Sequence, residues 1–144
     1  MAQHKLVIVK NDLPDSLQFE NKECAADNLT IAANSTANTP GQNGEGCDVP
    51  DCSEAKYWDA HRMTFTTGST VYNLWKVKNQ IFASMGSSYP NPVPTGIDMS
   101  DNVQIEISPG GTAAANTTTG EKDHKALKVV KIVAKMGAKA VALL

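Results

Sequence analysis

The apolar positions of this chain come in short runs of period two separated by turn residues, a pattern that predicts strands rather than helices. Lys5-Leu6-Val7-Ile8-Val9-Lys10 is a β-branched run closed by Asn11-Asp12-Leu13-Pro14-Asp15, a strong turn signal. Ser16-Leu17-Gln18-Phe19-Glu20-Asn21 then alternates apolar with polar residues. Together these segments predict an opening hairpin, with Leu29-Thr30-Ile31-Ala32 as a third, short strand. Residues 33–51 are rich in Asn, Ser, Thr, Pro, Gly and acids and read as a long surface loop. Val71, Leu74, Trp75 and Val77 before Lys78-Asn79-Gln80, and Ile81, Phe82 and Met85 after it, form the strongest strand pair. Val103-Gln104-Ile105-Glu106-Ile107 alternates without a break and ends at Pro109-Gly110-Gly111. Three prolines within residues 90–94 keep that stretch out of any helix or central strand.

The tail reads two ways. As a helix, residues 125–144 place five lysines on one arc of ~120°, with Val129, Val130, Val133 and Met136 mostly opposite. As a strand, Lys125, Lys131, Lys135 and Lys139 share one face, and Val130, Ile132, Ala134 and Met136 share the other. The β-branched run over 129–133 favours a strand to about Lys135. Short strands punctuated every ten residues or so predict an all-β, single-domain antiparallel sandwich or jelly roll. It has long polar loops and a basic C-terminal strand, or helix on the other reading.

Composition narrows the class. Leu, Ile, Val and Phe make up only about a fifth of the 144 residues, near the range of disordered chains, but the net charge of −2 is too small for disorder. A folded domain with a thin core is expected. No run of ~18 apolar residues could span a bilayer, and Met1 to Val9 lacks the basic start and long apolar run of a signal peptide, so a soluble form is expected. Charge is unevenly placed: residues 125–144 carry five lysines and no acid, leaving the remainder at −7. The chain therefore divides into an acidic sandwich body over residues 1–120 and a basic segment over 121–144, which completes its own sheet or a neighbour's. The acidic body argues against a nucleic-acid partner.

Candidate chemistry is sparse. Cys24, Cys47 and Cys52 are disulfide candidates: Cys47 and Cys52 could bridge across a Pro50 turn, and Cys24 could reach either, while a reducing compartment would leave all three as thiols. Cys-x4-Cys without a second ligand pair makes a poor zinc site, and Asp48, Asp51, Glu54 and Asp59 fit no calcium loop, so neither metal nor cofactor is expected. His61 in Asp59-Ala60-His61-Arg62 has no nucleophile placed beside it by any motif, and no catalytic residue is assigned. The sequons at Asn28, Asn34 and Asn116 mark surface only. Trp75 is expected inside; Trp58 and Tyr89 are candidates for the surface, where with Asp59 and Asn91 they could hold a sugar ring.

The function these features favour is non-catalytic: a structural β-sandwich that self-associates as a subunit of a homo-oligomer or filament, with copies of itself as partners. Lys125, Lys128, Val130, Lys131, Ile132 and Lys135 are the expected assembly residues. The first alternative is a lectin-like module that binds glycans through Trp58, Asp59, Tyr89 and Asn91. A second has the cationic tail acting on an anionic membrane, where it lacks any aromatic anchor.

Overall fold

The computed structural model describes residues 5–39, 46–90, 93, 96–98, 102–109 and 127–134, with backbone alone at 97–98, 102, 109 and 127–134. It is an all-β sandwich. One sheet (sheet A) has the order β11-β10-β1-β4, where β1 is Lys5–Asn11, β4 Ser35–Asn38, β10 Asn102–Pro109 and β11 Leu127–Ala134; β5 (Cys47–Asp48) also pairs with β1. The other (sheet B) has the order β3-β2-β6-β7-β8-β9. Here β2 is Leu17–Asn21, β3 Leu29–Ile31, β6 Met63–Thr67, β7 Thr70–Val77, β8 Gln80–Met85 and β9 Ile97–Asp98. Among the described residues, no helix is long and apolar enough to cross a membrane.

The alternating residues of the two sheets meet in one core. Leu6, Val9, Val103, Ile105 and Ile107 from sheet A pack on Leu17, Phe19, Met63, Phe65, Tyr72, Leu74, Ile81 and Ala83 from sheet B. Phe19 and Phe65 are register partners, and their rings stack at 5.1 Å. Burial pushes the Tyr72 hydroxyl above its ordinary pKa.

Strand β1 departs from simple alternation because it carries a bulge. Leu6 pairs with Val103 but Ile8 with Gln104, which leaves Val7 as an extra residue. The extra residue flips the side-chain parity, so Leu6 and Val9 both enter the core while Val7 and Ile8 form a separate buried pair. Asn11, two residues beyond Val9, therefore also faces inward. Its amide donates to the Asp15, Ile31 and Ala32 carbonyls, and its Oδ1 accepts from Leu13 N–H.

Four expectations are corrected here. The sandwich is not antiparallel throughout, since β10 runs parallel to both β1 and β11. The first two strands do not form a hairpin: β1 lies in sheet A and β2 in sheet B, and the turn between them carries the chain across the sandwich, with Leu13 buried in the core. Residues 33–51 are not simply a surface loop, since β4 and β5 lie within them and Thr39, Cys47 and Val49 are buried. The Thr39 hydroxyl donates to the Leu6 carbonyl, and Gly46, at φ +102°, lies so close to β1 that a Cβ there would sit 2.8 Å from the Leu6 oxygen. The alternation over residues 103–107 also conceals a buried polar residue, Gln104.

Candidate functional site

Two features stand out from the framework: the flanks of sheet A and an aromatic layer on the face of sheet B turned away from sheet A.

The basic segment supplies β11, a strand that runs parallel to β10 in register from Asn102↔Leu127 to Pro109↔Ala134. β11 is the outermost strand of sheet A, and among the described residues its far side has no strand against it. Of the expected assembly residues, Lys128, Val130, Lys131 and Ile132 lie in this strand; Lys125 and Lys135 fall outside the described residues. Lys131 is in register with Glu106, which in turn pairs with Lys10 and meets its ammonium at 3.4 Å. The opposite flank of sheet A is built from β4 and β5. β10 runs along one side of β1, so β4 (opposite Ile8 to Asn11) and β5 (opposite Lys5 and Leu6) share the other. Asp48, exposed, is the one charged residue in β4 and β5.

The aromatic layer forms because β6 ends opposite Leu74 while β7 runs on to Val77. Residues 50–52 fill that gap: Lys76 N–H donates to the Pro50 carbonyl and Cys52 N–H to the Lys76 carbonyl, and Lys76 Nζ meets Asp51 at 3.1 Å. The chain then turns through a 3-10 segment, Ala55–Ala60, which lays Trp58 onto Trp75. The two indoles meet edge to face at 5.6 Å, Phe82 stacks on Trp75 at 5.8 Å, and Tyr89 meets Trp58 at 5.9 Å. The Arg62 guanidinium covers the other side of Trp58, 4.1 Å from the ring centroid.

Beside the rings runs a buried polar line. Arg62 Nε donates to Asn73 Oδ1 at 2.9 Å, and Nη1 donates to the Trp58 carbonyl and to Asp59. Asn73 Nδ2 donates to Ser84 Oγ and to the Gly86 carbonyl. Among the described residues, three buried side-chain polar atoms have no hydrogen-bond partner, and all belong to this layer: Trp58 Nε1, Trp75 Nε1 and Thr64 Oγ1. His61 closes the rim, with Nδ1 against the Glu23 carboxylate and the ring edge-on to Tyr57. No family model, curated protein or solved structure matches the chain, so the reading of these sites stands on their own geometry.

The structure brings Trp58, Asp59 and Tyr89 together, while Asn91 lies outside the described residues. Trp58 is not the surface ring the glycan reading needs, because it is only 1% exposed beneath Arg62 and Tyr89. Its neighbour Tyr57, not singled out from the sequence, is the exposed ring at 52%. Arg62, Asn73, Ser84 and Glu23 were likewise not singled out. The one local signal was Asn73, a polar residue in the middle of the strongest predicted strand.

The three cysteines lie apart and unbridged in this structure. Pro50 does not fold the chain back on itself. It carries the chain from β5 in sheet A to β7 in sheet B, leaving Cys47 in the inter-sheet core, Cys52 in the aromatic layer and Cys24 at the surface. Burial pushes the Cys52 thiol up; the Glu54 backbone opposes this, and the nearby Asp51, Glu23 and Glu54 charges add to it. Ellman's reagent is therefore expected to react quickly with Cys24 alone in the native protein and with Cys47 and Cys52 only on unfolding. A fast phase that survives Cys24→Ser would contradict this placement. Among the described residues, no three His, Cys, Asp or Glu side chains come together to hold a metal.

Proposed function

We propose that this chain is a non-catalytic structural subunit that associates with copies of itself into a homo-oligomer or filament through β11. The supporting observation is the position of that strand: a β-branched, lysine-bearing segment, Leu127–Ala134, forms the outermost strand of sheet A on an otherwise acidic chain. An outer strand offers unpaired N–H and C=O groups to another chain, and a positive strand is drawn to a negative body. A thin core gains further from burial between subunits.

Light scattering at low salt tests the proposal. The intact protein is expected at a multiple of 15.3 kDa. Deleting residues 125–144 should bring it to monomer mass, and raising the salt should lower the mass progressively as the charges are screened. Since truncation removes a strand from sheet A, Lys128→Glu/Lys131→Glu serves as a second variant that keeps the strand. An intact chain of monomer mass, or an unchanged assembly in both variants, overturns the proposal.

A further inference from the structure

Sheet A has two different flanks, and their chemistry specifies how copies would join. Resting on the self-association reading, we infer that β11 of one copy docks on the β4/β5 flank of the next, so that sheet A continues from subunit to subunit in head-to-tail order.

Three observations carry this. The first is charge. Two β11 strands laid side by side would bring together two strands that each carry lysines, and lysine on an outer strand is a common barrier to like-with-like pairing. The β4/β5 flank has no basic residue in either strand and presents the exposed carboxylate of Asp48.

The second is strand direction. β11 is parallel to β10, β10 is parallel to β1, and β4 and β5 are antiparallel to β1. In a copy that keeps the same orientation, β4 and β5 therefore run antiparallel to the incoming β11, the direction in which facing strands align their hydrogen bonds best.

The third is the face. Across the ladders, Asp48 shares a register position with Lys5, and Lys131 shares one with Glu106 and Lys10. The bulge at Val7 restores common parity to Lys5 and Lys10, so Asp48 and Lys131 occupy positions on the same side of sheet A, the side away from sheet B. A continued sheet puts the two positions on one side.

Because the joined patches differ, the contact is heterologous. The subunits are related by translation combined with the sheet twist of roughly −20° per strand, so growth stays open rather than closing as a two-fold dimer.

A charge-swap cycle tests the inference. Lys131→Glu and Asp48→Lys are each expected to reduce the light-scattering mass towards 15.3 kDa at low salt. The double variant Lys131→Glu/Asp48→Lys should recover most of the intact protein's mass, since it restores the opposite charges in reverse. That recovery also shows that the single variants had not merely unfolded. If Lys131→Glu lowers the mass but Asp48→Lys does not, β11 associates with some other surface and this inference falls while the proposed function stands. A double variant that stays monomeric with native tryptophan emission likewise overturns it. A higher mass for Lys131→Ala than for the intact chain would make the lysine a guard against association, and that result overturns the inference as well. An intact protein of monomer mass removes both readings.

Discussion

Asn73→Ala is expected to destabilise the protein by about 3 kcal/mol or more, well beyond what truncating a surface asparagine would do. Asn73 is fully buried, and its Oδ1 is the acceptor for Arg62 Nε. Alanine would leave a desolvated guanidinium short of a partner and also free the Ser84 and Gly86 groups held by Nδ2. A hydrogen bond to a charged group contributes roughly 1.5–3 kcal/mol, and an unsatisfied buried group costs about 1–3 kcal/mol. The reverse deletion is milder. Arg62→Met removes the buried charge together with its needs, keeps an apolar stem on Trp58, and leaves Asn73 with its bonds to Ser84 and Gly86, so a loss of about 1–2 kcal/mol is expected. Urea unfolding followed by tryptophan emission measures both. Equal losses in the two variants would show that the Arg62 charge imposes no special demand on Asn73.

The second large effect is expected at Asn11. Its side chain ties the end of β1 to carbonyls of the crossing turn and of β3, and so fastens sheet A to sheet B. Asn11→Leu removes every one of these bonds and leaves three carbonyls and one N–H to find other partners, at a cost of about 3 kcal/mol. Asn11→Asp keeps the acceptor for Leu13 N–H but loses the donors and faces the carbonyls with a buried negative charge. Its stability should therefore fall as pH rises and the carboxylate ionises, and recover in acid. Thermal unfolding of Asn11→Asp between pH 4 and pH 8 reads this directly; a flat profile would place the side chain in water rather than between the sheets.

The parts of the fold legible in the sequence are those made by near neighbours. β7 and β8 follow from apolar runs on either side of the two-residue turn Lys78-Asn79, where Lys78 takes positive φ. The turn signal at residues 11–15 was genuine, but a turn does not say whether the strands beside it pair or part. The inward parity of Asn11, which holds the crossing, depends on a bulge that leaves no mark in composition. β4 and β5 were hidden because their small polar residues pair through backbone atoms rather than through apolar alternation. Trp58 was misplaced by one residue's rotation: the 3-10 segment turns Tyr57 out and Trp58 in. The basic outer strand was legible as charge and β-branching. The two-flank arrangement of sheet A depends on a parallel pairing between chain positions far apart, which no local pattern records.

Lys5 pairs with Asn102 and Asn11 with Ile107, so β1 leaves the ribosome well before the parallel neighbour it pairs with. Sheet B has no such delay, because β6, β7 and β8 close on one another through tight turns as they emerge. During synthesis the β10-facing edge of the apolar strand Leu6-Val7-Ile8-Val9 thus stays unpaired beside a half-built sandwich, the kind of edge that chaperones hold and that aggregates when they do not. Slowing translation just before residue 102 should lengthen that exposure and lower the soluble yield, whereas the same pause placed after residue 134 should not.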